Sequence, residues 1–228
     1  MLYRFEHAGV VVYRSPVLDT LGIPHGFGTR RGDDRAIAEA LNLADREWVR
    51  VRQVHGHAVH LAARGKGPSA SCDADAVVLR HTGQVTRIVT ADCVPILIAA
   101  TDGSAVAAVH AGWRGLLSGV VTEAVDALET SFVAAIGPCI SVKRFEVGEE
   151  VAERFDARFV RRDLGSRPHV DLRAATHALL HDLGARQIDT TDRCTAEHED
   201  DFYSHRRDVT HRQLETTGRM ASVIALPR

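Results

Sequence analysis

Cysteine is scarce in this chain. Four residues, Cys72, Cys93, Cys139 and Cys194, stand singly among 228, with no C-x-x-C pair and no dense framework. That spacing argues against a disulfide scaffold of the secreted kind and leaves each thiol as a small buried hydrophobe, a metal ligand or a nucleophile. A charge surplus is also missing, because 28 basic residues face 30 acidic ones for a formal net charge of -2. No global field draws nucleic acid or an anionic membrane, and a small-molecule partner is expected instead. No apolar run approaches the ~20 residues that span a bilayer. The start, Met1-Leu2-Tyr3-Arg4-Phe5-Glu6-His7, lacks the charged, apolar and small-residue sections of a secretory signal, so the expected location is the cytoplasm. Neither an internal repeat nor a low-complexity segment interrupts the chain, and its length suits one well-buried domain over residues 1–228. Composition leaves the oligomeric state open.

What the chain does have is polar residues gathered at the ends of apolar runs. Residues 94–100 and 105–109 read as buried strands separated by Thr101-Asp102-Gly103-Ser104, which makes them a hairpin or neighbouring pair. Cys93 precedes the first and His110 follows the second, at the open end of an antiparallel hairpin, where a thiol and an imidazole meet. Residues 48–51 lead as a strand into Gln53-Val54-His55-Gly56-His57-Ala58-Val59-His60. On an extended chain His55 and His57 share one face and His60 points to the other. Further strands are expected at 9–13, 77–79, 85–90, 132–136, near 187–189 and over 217–226. Helical spacing predicts helices over 33–43, 116–128, 145–155 and 171–183, the last capped by Asp171 and stopped by Gly184. Ser15-Pro16 reads as a turn, 25–32 as a glycine-punctuated loop carrying Arg30, and 64–71 as a flexible loop. Strands outnumber helices in mixed order. The expected fold is therefore α/β or α+β, a single-domain layered sandwich with a mixed, mostly buried β-sheet and outer helices.

His55, Cys93 and His110 each fall where a strand meets a polar turn, and on this reading they project from one sheet edge. Structural zinc usually takes four protein ligands, whereas catalytic zinc often takes three and keeps a position for water or substrate, lowering the pKa of that water to ~7. One cysteine and two distant histidines fit the second pattern. The same residues allow a use without metal, with Cys93 as thiolate, His110 as its base and Asp92 or Asp75 as the orienting group. His55-Gly56-His57 also suggests copper, which favours imidazole and thiolate, although the repeated paired-histidine motifs of multicopper oxidases are not found. A binding protein with a structural metal or none is the non-enzymatic alternative. Gly112-Trp113-Arg114-Gly115, a tight turn opening a helix, offers unpaired amides to an anion.

Several motifs occur together and in order: Gln53-Val54-His55-Gly56, Thr90-Ala91-Asp92-Cys93-Val94-Pro95, His110-Ala111-Gly112-Trp113-Arg114-Gly115, Ile136-Gly137-Pro138-Cys139-Ile140, Phe145-Glu146-Val147, Tyr203-Ser204-His205-Arg206-Arg207 and Thr217-Gly218-Arg219-Met220. From about residue 25 to its end the chain resembles the YfiH-like laccase-domain family. The resemblance implies an α/β sandwich with zinc held by His55, Cys93 and His110. It further implies phosphorolysis of adenosine, inosine, guanosine and methylthioadenosine to base plus ribose or methylthioribose 1-phosphate, together with adenosine deamination. A copper-dependent polyphenol oxidase, or laccase, and a hydrolase with Cys93 as nucleophile stand as alternatives.

For deamination, hydroxide supplied at the metal attacks purine C6 while a carboxylate or imidazole carries the proton. For phosphorolysis, phosphate approaching the ribose C1′ needs a cationic cradle, for which Arg30, Arg114 and Arg206 are the candidates. Cys93, His110, Asp92 and Arg206 are the expected catalytic residues. Arg30, Gln53, Asp75 and Arg114 are the expected substrate contacts. The chain departs from the family in a shortened Arg31-Gly32-Asp33-Asp34 loop, in His205 where tyrosine is also common, and in an insertion around 209–215. These changes put the N-terminal contacts and the purine preference in question.

Overall fold

The computed structural model, which describes residues 1–64 and 72–228, folds the apolar runs into two mixed six-stranded sheets where the sequence suggested one sheet layer. The loop expected at 64–71 lies, apart from Arg64, outside the described residues. One sheet runs in the order β1 (Tyr3–His7), β2 (Val10–Arg14), β3 (His25–Gly28), β14 (Met220–Ala225), β7 (Gln84–Thr90) and β4 (Glu47–Val49). The other runs β13 (Ile188–Asp189), β10 (Phe132–Ile136), β8 (Val94–Ala100), β9 (Val106–Ala111), β6 (Ala76–Leu79) and β5 (Val59–Leu61). Neighbours are antiparallel except at β4 with β7, β5 with β6 and β10 with β13. A small ribbon, β11 (Val160–Arg161) with β12 (His169–Val170), lies apart.

Side-chain alternation explains why the sheets stack. Along β8, Leu97 and Ala99 turn toward the first sheet and meet Phe27, Ile88 and Ile224. Ile96, Ile98 and Ala100 turn the other way, onto a cluster that includes Leu116, Val120, Val121 and Leu180. Those residues belong to α3 (Trp113–Ser118), α4 (Val120–Asp126) and α6 (Leu172–Asp182). A strand covered on both faces is apolar throughout, as β8 is. The outer face of the first sheet is covered by α2 (Asp34–Ala40), through Ile37 and Ala38 on Val12, Val85 and Val223. The expected layered sandwich is thus present, with its sheet layer doubled.

Four local expectations are corrected. Ser15-Pro16 starts α1 (Pro16–Thr20), the serine hydroxyl accepting from the Leu18 amide and the proline taking a first-turn position. His25–Gly28 is a buried strand, because Gly28 lets β3 lie against β14 where a Cβ would stand 2.6 Å from the Ala221 carbonyl oxygen. The helix over 116–128 is broken at Gly119, whose φ of 96° ends α3 and starts α4. The helix expected from Phe145 shrinks to α5 (Glu149–Ala152), since the Val147 amide bonds to Pro168 and the Val170 amide to Phe145. Around the expected insertion the chain makes a wide helical turn over Arg206–His211.

Candidate metal centre and active-site cavity

The β8–β9 hairpin sets Pro95 opposite His110 and Val94 opposite Ala111, so Cys93 and His110 do meet at its open end. His55 arrives from a loop, and not on the extended strand the sequence suggested. Its φ is 61°, a left-handed conformation that costs a non-glycine residue about 1 kcal/mol or more. Asp75, with no exposed surface, explains why the loop holds that shape. Its carboxylate accepts from three successive amides, Val54 at 3.2 Å, His55 at 2.9 Å and Gly56 at 2.7 Å. Successive amides converging on one anion form a nest. The same carboxylate lies 2.7 Å from His110 Nδ1, which leaves Nε2 of that ring to face the cluster.

The ligand atoms of His55, Cys93 and His110 all lie within 4.8 Å of one another. Cys93 Sγ is 4.0 Å from His55 Nε2, and the two imidazoles stand edge to face at 82°. Bond lengths of 2.0–2.3 Å to zinc would set such atoms about 3.5 Å apart, so only a small closure is needed. Two imidazoles and a thiolate are donors that suit zinc or copper. Gly112 keeps the space free, because a Cβ there would lie 3.1 Å from both Cys93 Sγ and His55 Cδ2. His57 is exposed and takes no part in the cluster.

Burial works against charge on Cys93, but hydrogen bonds from His110 and His55 outweigh it and lower the thiol to about 7. His110 moves the other way. Burial opposes its protonation, yet the bonds to Asp75 and Cys93 prevail and raise it to about 9. Asp75 is likewise penalised by burial and is held below the usual carboxylate range by His110 and the loop amides. The two shifts favour a thiolate beside an imidazolium before any ion binds.

The cluster opens on a cavity of about 610 Å³, a size that suits a small organic ligand. Arg206 lines it, donating to the Glu146 carbonyl oxygen at 2.7 Å and lying 5.3 Å over the Phe145 ring. Asp92 braces the wall there with both carboxylate oxygens bonded. Its carboxylate accepts from Thr195 Oγ1 and the Arg206 amide, both at 2.6 Å, and its carbonyl accepts from Ile140. Gln53 borders the cavity with both ends of its amide bonded to the Val89 backbone.

Three expected substrate contacts stand away from the cavity wall. Asp75 is fully buried behind His110, its carboxylate bonded to that ring. Arg30 is outside the cavity wall, donating to the Glu199 carbonyl and lying over Tyr203. Arg114 is exposed over Trp113, also outside the wall. In their place the fold brings Arg87, Arg219, His205 and Phe145 to the cavity. The alternation Val85, Arg87, Val89 was the one local sign that Arg87 shares a face with apolar neighbours. Arg219, His205 and Phe145 stand in motifs that carry the family resemblance, but their spacing gave no sign that they meet at one cavity.

The sequence profile of the family described as multi-copper polyphenol oxidoreductase laccase matches residues 31–227. A Deinococcus radiodurans protein named purine nucleoside phosphorylase is 34% identical, over 96% of this chain and 94% of its own. The Escherichia coli protein named purine nucleoside phosphorylase YfiH is 40% identical, over 78% of this chain and 73% of its own. Among solved structures, YlmD from Geobacillus stearothermophilus superposes with a TM-score of 0.84 at 25% identity, covering 100% of both chains. The Bacillus licheniformis hypothetical protein YfiH gives 0.85 at 22% identity over 98% of each, a likeness of fold.

Proposed function

The chain belongs to the family described as multi-copper polyphenol oxidoreductase laccase, and from that membership, with relatives named purine nucleoside phosphorylase, we propose that it is a purine nucleoside phosphorylase carrying zinc at His55, Cys93 and His110. The observation that carries the reading is a two-imidazole, one-thiol cluster opening on a cavity whose wall holds Arg206 and Arg219. Bound zinc would supply a Lewis acid and an activated water.

The protein groups divide the remaining work. Cys93 serves as thiolate, and His55 and His110 as neutral imidazoles with the His110 tautomer set by Asp75. Arg206 and Arg219 have no carboxylate partner among the described residues, bonding only to backbone carbonyls of Arg144, Glu146, Thr217 and Gly218. Such guanidinium groups suit inorganic phosphate, which binds in a forked geometry. A phosphate oxygen then bonds to the ribose C1′ as the C1′–N9 bond breaks, and the purine leaves with the electron pair and takes up a proton. His205 lines the same wall and is the imidazole available for that transfer. Adenosine, inosine, guanosine and methylthioadenosine are the substrates of this reading. Adenosine deamination at C6 is its second activity, and the cytoplasm its location.

Incubating metal-analysed protein with adenosine, with and without phosphate, tests it by chromatography of the products. Adenine and ribose 1-phosphate formed only with phosphate are expected, and inosine if deamination accompanies it. No turnover of adenosine, inosine or methylthioadenosine would sink the proposal. A second reading rests on the Cys93 thiol at about 7 beside His110 and Asp75, a nucleophile, base and orienting acid in series. In that case alkylation of Cys93 abolishes a hydrolytic activity that chelators leave intact.

A further inference from the structure

The guanidinium groups of the cavity occupy two stations. Arg206 and Arg219 belong to the cluster end, since the Arg206 amide is bonded to Asp92 and Arg219 directly precedes Met220, the register partner of Thr90. Arg87 belongs to the other. It stands three residues before Thr90 on β7, and an antiparallel strand rises about 3.4 Å per residue, so its Cα lies roughly 10 Å farther along the wall. Arg87 and Val89 are two apart on β7, share a face and both border the cavity.

At the far station one carboxylate is shared. Arg87 Nε donates to Asp34 Oδ2, and the same oxygen receives Arg50 at 3.4 Å, so one carboxylate serves two guanidinium groups. The terminal nitrogens of Arg87 donate to no described residue. Inorganic phosphate, the anion required by phosphorolysis, accounts for the near station and leaves the far one unused. The proposed pose sets the base at the metal end, so that the ribose and its 5′ carbon lie on the Arg87 side of the cavity.

Resting on the nucleoside reading above, we propose that Arg87 is an anion station for a 5′ substituent, so that the cavity binds purine nucleoside 5′-monophosphates more tightly than nucleosides. Asp34 fixes the guanidinium through Nε and leaves its outer edge to meet two phosphate oxygens.

Calorimetric titration of the metal-loaded protein in phosphate-free buffer tests this with four probes: adenosine, adenosine 5′-monophosphate, ribose and ribose 5-phosphate. The monophosphate should bind roughly tenfold or more tighter than adenosine, the worth of one charge-assisted fork. Arg87→Met should remove that advantage and leave adenosine affinity unchanged, while Arg206→Met retains it. Equal affinities in the wild type, or an advantage that survives Arg87→Met and disappears with Arg206→Met, would overturn the proposal. Should Arg87→Met fail to fold, Arg87→Lys keeps a single charge-paired donor for Asp34 without the fork and must lose most of the advantage. The ribose pair separates this inference from the one beneath it. An Arg87-dependent preference for ribose 5-phosphate without adenosine binding keeps the station and ends the nucleoside reading; adenosine binding without any phosphate preference does the reverse.

Discussion

Asp75 organises the cluster by holding the His55 loop and the His110 ring with one carboxylate. It receives three amides of the His55 loop and the Nδ1 side of His110. Asp75→Asn keeps the shape and removes the charge, so metal affinity should fall about 10–100-fold, as for other groups that orient metal ligands. Folding stability should drop by about 3 kcal/mol, because a buried charged network is broken. Competitive chelator titration and denaturant unfolding would measure the two. Cys93→Ala should abolish stoichiometric zinc binding while the far-ultraviolet circular dichroism is kept. Protons compete with the metal at the same atoms. With Cys93 at about 7 and His110 at about 9, an ion displaces two protons below pH 7 and one between 7 and 9. Apparent affinity should therefore rise with pH, about tenfold per unit over the upper interval and more steeply below it, and level off above 9. A flat profile from pH 6 to 9 would show that these groups do not bind the ion.

The elements meet closely where glycine allows it. Gly28 passes β3 against β14 with no room for a Cβ beside the Ala221 carbonyl oxygen. Backbone cannot swing aside as a flexible side chain does, so Gly28→Ala should cost about 3 kcal/mol, seen as a lowered unfolding midpoint with an unchanged denaturant slope. Gly112 is the contrasting case. Its contacts at 3.1 Å are to the Cys93 and His55 side chains themselves, so Gly112→Ala should spare the fold and weaken metal binding. The break at Gly119 has a similar local cause: its left-handed φ of 96° splits an apolar stripe that, read by periodicity, continues through it.

Acid should act on the molecule through buried groups that cannot accept protons while it is folded. His25 is fully buried, with Nε2 accepting from the Ser15 amide and Nδ1 bonded to the Ile23 carbonyl. Burial lowers it from 6.5 to about 4. The unfolded chain takes up this proton near 6.5 and the folded chain only near 4, so the stability it contributes is present above 6.5 and lost as the pH falls through about 4. The loss is about 3 kcal/mol in all, and a His25→Gln protein should show a flatter stability curve over that interval. Asp189 links the same region to the second sheet, accepting from Ser15 Oγ, the Val17 amide and the N-terminal ammonium. Among the described residues no helix is long and apolar enough to cross a membrane.

Local order was legible in the sequence wherever one face of a short segment decided it. Apolar runs broken by turn residues specify the β8–β9 hairpin, and with it the meeting of Cys93 and His110, because the closest partner of each strand is its neighbour in sequence. Asp33 and Asp171 likewise announce α2 and α6 through caps that act within three residues. Tertiary structure decided whatever depends on contacts between distant segments. Stacking the sheet layer as two sheets, turning His25–Gly28 from a loop into a buried strand, burying Asp75 behind His110, and replacing Arg30 and Arg114 by Arg87 and Arg219 on the cavity wall all follow from such packing. A long arginine side chain can lie over a neighbouring ring or line a cavity at similar local cost, and only the surfaces brought against it by the rest of the chain select between the two.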